Sequence, residues 1–175
     1  MSNESESREE PTQSKESESR RAPEHFDEML NKHFRYTYDN GWVYEFHVPN
    51  SERIVYKIHG GPMAGRTNYQ TAYYQRIREK LWLVSWVEET GTSVTICLDQ
   101  PNMKINTFMA FSKGHWTEPE KAHGWKNDKL ESWRELSKIG NQTTDRHILP
   151  ESATIDKIYE GRDELPEIDM SWPTL

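Results

Sequence analysis

One cysteine, Cys97, stands in 175 residues. No intrachain disulfide can form, and no cysteine-based metal site can be built. No stretch approaches the ~20 consecutive apolar residues that cross a bilayer. Basic residues are in deficit, 22 Lys and Arg against 29 Asp and Glu, for a net charge of −7. Their runs are short and mixed, as in Arg76, Arg78 and Lys80, so nucleic acid is not an expected partner. The seven histidines include no HExxH and no closely spaced pair, and no metal site is expected. GxSxG and GxxxxGK are also missing, which argues against a serine hydrolase and a phosphate loop.

Apolar residues are scarce too, at 33%, with a mean hydropathy of −1.01. The deficit is concentrated at the start. Residues 1–25 are rich in Glu, Ser and Arg and lack apolar periodicity, the composition of a disordered tail. They have neither the basic and apolar regions of a secretory signal nor the acid-poor character of a transit peptide. With the lone cysteine, this gives an expected cytoplasmic location. Residues 26–175 are expected to form a single domain, long enough to bury one core.

From Phe34 the texture changes to short β-type runs: RYTY, WVYEFHV, RIVYKI, TAYYQRI, LWLVSWV, SVTICL and INTFMAF. Turn residues separate them, among them Asp39-Asn40-Gly41, Gly60-Gly61-Pro62 and Glu89-Thr90-Gly91. This spacing predicts an antiparallel sandwich or barrel. In LWLVSWV both alternating faces are largely apolar, which predicts a wall strand covered on its outside by a helix. A helix is predicted near residues 127–139, capped around Asp128 and ended by Gly140, and a shorter one over residues 22–32. A last strand is expected near residues 154–159.

Four features could carry chemistry. Tyr36 and Tyr38 share one face of a strand, because side chains alternate, and Tyr44 follows across a tight hairpin. A buried phenol needs a partner, from the protein or from a ligand. Arg66 closes the glycine-rich GGPMAGR; it suits either a surface ion pair or a carboxylate in a cavity mouth. Glu88 extends the face of Trp82, Val84 and Trp86. In an apolar cavity its pKa would rise and make it a proton donor; exposed, it would be a strand-end glutamate like Glu89. His115 and His123 read as members of a polar loop, and Trp116, Trp125 and Trp133 as packing or lid residues.

YTYDNGWVYE, IHGGPMAGR and VSWVEETGT, in this order, resemble the phenolic acid decarboxylases of bacteria and fungi. The resemblance runs from about Phe34 to Phe111 and weakens beyond. It implies a lipocalin-like antiparallel β-barrel with flanking helices, a homodimer, and no cofactor or metal. It also implies non-oxidative decarboxylation of p-hydroxycinnamic acids such as p-coumaric, ferulic and caffeic acid to 4-vinylphenols. Carried over by motif, Glu88, Arg66, Tyr36 and Tyr38 are the catalytic residues, with Glu88 as general acid; Tyr44 and Asn40 are substrate-binding. The chain departs from the family at Thr67, where a Trp is usual, and at Glu89, where a Pro is usual. The competing reading is a barrel that carries a small aromatic acid without turning it over.

Overall fold

The computed structural model describes residues 20–175. Most of the expected tail, residues 1–19, lies outside them. Arg20 is described: its guanidinium donates to the Ala72 carbonyl at 2.9 Å and lies over the Tyr73 ring.

Ten strands form one sheet. They are β1 (Lys32–Tyr38), β2 (Val43–Asn50), β3 (Arg53–Ile58), β4 (Arg66–Thr71), β5 (Tyr73–Arg78), β6 (Leu81–Val87), β7 (Ser93–Asp99), β8 (Lys104–Ser112), β9 (Gly124–Trp125) and β10 (Arg146–Glu160). Their order is β5-β6-β7-β8-β10-β1-β2-β3-β4-β9, antiparallel except for the short β4–β9 pair. One connection decides the shape. β5 stands at one end of this order and β4 next to the other, where only the two-residue β9 lies beyond it, yet a single residue, Ala72, joins them. The sheet must therefore curl until its ends meet, which is the barrel-like wall the sequence predicts.

The alternation of each strand sorts its residues between inside and outside. Phe34, Tyr36 and Tyr38 of β1 face in, beside Tyr44 and Phe46 of β2; Tyr36 pairs directly with Tyr44, and Phe34 with Phe46. Trp82, Val84 and Trp86 of β6 and Val94, Ile96 and Leu98 of β7 complete the same core. β4 is the exception. Its inward residues are Arg66, Asn68 and Gln70, all fully buried, so a polar seam runs along an otherwise apolar interior. Outside β3 and β4 a smaller cluster forms, where Val55, Tyr69 and Leu165 pack with Trp125 and Trp172.

Several expectations are corrected. The N-terminal helix is only a 3₁₀ turn, Phe26–Glu28. Asn31, at φ 58°, ends it, and its N–H pairs with the Val48 carbonyl instead of continuing a helix. The last strand is far longer than expected because β10 pairs with β8 through its first half and with β1 through its second. No helix among the described residues covers the outer face of β6: Leu81 and Leu83 are half-buried there and Val87 is 47% exposed.

Two helices lie over one end of the wall, α1 (Lys113–Thr117) and α2 (Lys126–Leu136). α2 starts before the expected cap, after Trp125, with no side chain capping it. Gly114 lets the two helices touch: a Cβ there would lie 2.2 Å from the Leu136 carbonyl oxygen. Gly114→Ala should therefore push α1 off α2 and cost about 1–3 kcal/mol, as overpacking does. Urea unfolding of the variant measures it; unchanged stability would mean that the contact can relax freely.

Candidate active site

Inside the wall lies a cavity of about 460 Å³, its open mouth included. Tyr36, Tyr38 and Tyr44 form one side, Phe46, Ile58, Met63, Met109 and Phe111 supply apolar surface, and Tyr56, Arg66, Trp86, Glu88, Thr92 and His115 complete it.

Glu88 follows the last residue of β6, and the inward alternation of Trp82, Val84 and Trp86 carries through to it. The turn behind it is held by hydrogen bonds from Glu88 N–H to Thr92 O and from Gly91 N–H to Glu88 O, each 2.8 Å. The side chain is buried and heavily solvated by the protein. Tyr56 Oη donates to Oε1 at 2.5 Å and Trp86 Nε1 to the same oxygen at 2.9 Å. Arg66 donates to Oε2 at 2.9 Å. Burial alone would raise the Glu88 pKa. The Arg66 guanidinium and the two neutral donors outweigh it and hold the carboxyl below its ordinary 4.5. The sequence-based expectation of a raised pKa is thus reversed in the resting protein. A cavity that looks apolar along the strand contains a cation from the opposite end of the sheet.

Arg66 starts β4 just after Gly65. All three of its nitrogens are committed to the protein: Nε donates to Tyr56 Oη at 3.2 Å, one terminal nitrogen to the Ala122 carbonyl at 2.9 Å, and the other to Glu88. Its flat face lies 3.7 Å from the centre of the Trp133 ring. Tyr56 Oη is equally full, donating to Glu88 while accepting from Arg66 and from Asn68 Nδ2 at 3.0 Å. Tyr56 and Asn68 escaped the sequence reading. Their signal was alternation: Tyr56 shares a strand face with Ile54 and Ile58, and Asn68 stands opposite it on β4.

The three expected tyrosines converge. Their rings touch pairwise, with centroids 5.1–6.0 Å apart, and Tyr38 Oη lies 3.0 Å from Thr107 Oγ1. Burial drives their pKa values up, Tyr38 to about 12 and Tyr36 and Tyr44 well above the ordinary 10. They remain protonated at working pH, so each keeps an O–H. Asn40 does not join them. It is exposed at the β1–β2 turn, where its Oδ1 accepts the Trp42 N–H at 3.0 Å.

His115 is another correction. It is buried on α1, against the cavity, with its ring 4.0 Å from Glu88 Oε2. Burial and the Arg66 charge push its pKa down to about 3, so it is neutral and Arg66 is the cation acting on Glu88. Glu89, read from the sequence as an exposed strand-end residue, is buried instead, because it pairs with Lys126 of α2 at 2.6 Å. Lys126 also donates to the Tyr69 carbonyl at 2.9 Å, and burial lowers its pKa to about 8. This pair ties α2 to the turn that carries Glu88.

Comparison with known proteins decides the family. Residues 26–171 match the model of the phenolic acid decarboxylase family. The chain belongs to that family. It is 35% identical over 131 residues to a Vibrio cholerae protein described as a probable phenolic acid decarboxylase, covering 73% of each chain. It is 32% identical over 128 residues to the phenolic acid decarboxylase PadC of Bacillus subtilis, covering 73% of this chain and 79% of that one. A solved Burkholderia vietnamiensis structure described as a candidate beta-lactamase superposes with a TM-score of 0.51 at 15% identity, over 81% of this chain and 99% of that one. That likeness concerns the fold alone. No helix among the described residues is long and apolar enough to cross a membrane.

Removing one partner of a buried ion pair is costly, about 3–5 kcal/mol, because the other is left uncompensated. Lys126→Met should lose stability on that scale in urea, and the double variant Lys126→Met/Glu89→Gln should recover part of it. Losses that simply add would show that the two groups are not coupled.

Proposed function

We propose that the chain is a cofactor-free decarboxylase of p-hydroxycinnamic acids, turning p-coumaric, ferulic and caffeic acid into 4-vinylphenols and CO₂. One observation carries the reading: a buried carboxyl on an arginine stands beside three phenols that stay protonated, all facing one cavity. A carrier would need the phenols but gains nothing from a buried acid beside them.

Direct loss of CO₂ from the alkene carbon would leave a vinyl anion. A para-hydroxyl opens a lower route. With the phenol ionised, its electrons move through the ring and alkene to the carbon that bears the carboxylate. Glu88 gives that carbon a proton, and a quinone methide forms. The C–CO₂ bond then breaks, its electron pair re-forms the alkene and returns the ring to phenolate, and the phenolate is protonated on release. The net reaction consumes one proton. Tyr36 and Tyr38, with Tyr44, donate to the phenolate; a preorganised donor to a developing oxyanion contributes about 3–4 kcal/mol.

Arg66 serves Glu88 in this account. At rest its charge keeps Glu88 ionised. The substrate carboxylate brings a second negative charge to the pair and draws on the same guanidinium, so the Glu88 pKa rises on binding and the side chain takes up the proton it will donate. The remaining features proposed from the sequence are a cytoplasmic location and a homodimer; the half-exposed outer face of β6 and β8, with Val87 and Phe108, is where a second copy would lie.

Two rates test the reaction. Glu88→Gln should lower kcat on p-coumarate about 10²–10⁴-fold, the usual worth of a general acid, while still binding it. Cinnamic acid, which lacks the para-hydroxyl, should give no styrene. Measurable turnover of cinnamic acid would contradict the quinone-methide route, and a fully active Glu88→Gln would remove the acid.

A further inference from the structure

Several buried polar atoms lack a partner among the described residues, and only one belongs to a side chain lining the cavity: His115 Nε2. The residue is 2% exposed, and its backbone is fixed, since the α1 turn rests on α2 through Gly114 and Ser112 Oγ accepts the His115 N–H at 3.3 Å. The other ring nitrogen sets the tautomer. Nδ1 lies 2.7 Å from Thr92 Oγ1. That oxygen already accepts the Ser112 backbone N–H at 3.1 Å, so the hydroxyl hydrogen is free to point at Nδ1. The ring hydrogen is then left on Nε2 as a donor. A buried donor with nothing to accept from it is destabilising, and a bound acceptor removes that cost.

The cavity needs such a donor. The three nitrogens of Arg66 are engaged by Tyr56, Ala122 and Glu88, and Trp86 Nε1 and Tyr56 Oη both serve Glu88. Three of the five Arg66 N–H groups are thus spent on the protein, and the acid end of an incoming ligand meets few free donors. Position narrows the choice of acceptor. Glu88 protonates the carbon that carries the carboxylate, so the carboxylate lies close to Glu88, and the phenol lies on the far side of the ring. His115 Nδ1, the nitrogen turned to Thr92, lies 4.0 Å from Glu88 Oε2, and the unpartnered Nε2 stands one carbon further round the same ring.

We propose that His115 is a further substrate-binding residue, whose Nε2–H donates to the carboxylate of the phenolic acid and holds it beside Glu88. This rests on reading the cavity as a hydroxycinnamate site. A neutral donor fits the chemistry better than a second cation would. It orients the carboxylate without stabilising a charge that the reaction must discharge.

The test measures binding apart from turnover. 3-(4-Hydroxyphenyl)propanoate has a saturated chain, which blocks the conjugated route to CO₂ loss; 4-ethylphenol is the same molecule without the carboxylate. Dissociation constants for both come from tryptophan fluorescence titration of the full chain. His115→Leu should weaken the acid about tenfold, the loss of one hydrogen bond to a charged group, and change 4-ethylphenol less than twofold. His115→Gln, which keeps an N–H, should recover part of the loss. If His115→Leu does not fold, His115→Phe makes the same comparison with ring volume retained. Equal weakening of both ligands, no weakening of either, or a wild type that does not prefer the acid would each overturn the assignment. Conversion of p-coumarate is read separately, so a wild type that makes no vinylphenol contradicts the reaction while the two-ligand comparison still decides His115.

Discussion

The buried ion pair between Arg66 and Glu88 is the constraint on which the rest of this interior depends. A carboxylate and a guanidinium taken out of water each lose several kcal/mol of hydration, recovered only with good geometry and every remaining lone pair and N–H occupied. That requirement explains the company they keep. Tyr56 spends its hydrogen on Glu88 and both of its acceptor positions on Arg66 and Asn68. The Ala122 carbonyl takes another guanidinium nitrogen and Trp133 covers its face. Arg66 and Asn68 on β4 belong to this network, and Trp133 of α2 roofs it, while Gln70 further along β4 serves the Glu89–Lys126 pair. Glu88 is held as a carboxylate at rest, and in the proposed mechanism it takes up its proton only when a second anion enters beside it.

Much of this was readable from the sequence. Alternation in LWLVSWVE placed Glu88 on the inward face, the hairpin put Tyr36 beside Tyr44, and evenly spaced turns gave the antiparallel wall. Local pattern could not show what depends on closure. Arg66 and Glu88 come from strands that meet only because the sheet curls, so the direction of the Glu88 pKa shift was invisible to a reading of its own strand. His115 looked polar because its neighbours in SKGHWTEPEK are polar, while its burial comes from Gly114 lying on the end of α2. Asn40 shows the opposite error: its motif matched, but at this turn its side chain is occupied by its own backbone.

The departures from the family have physical meaning beside this. Glu89, where a proline is usual, gains a buried partner in Lys126. The turn carrying Glu88 is thereby anchored to α2 by charge instead of by a rigid ring. Lys126 and His115 both come from the stretch after Phe111, and the family match, which runs over residues 26–171, includes it.

The account turns on the protonation of one carboxyl. Infrared difference spectroscopy of the protein, with Glu88→Gln to assign the band, reads it directly, first alone and then with 3-(4-hydroxyphenyl)propanoate bound. An ionised Glu88 at rest near neutral pH that becomes protonated in the complex is the predicted result. A Glu88 already protonated at rest, or one still ionised with the acid in place, would contradict the role given to Arg66 and the supply of the proton.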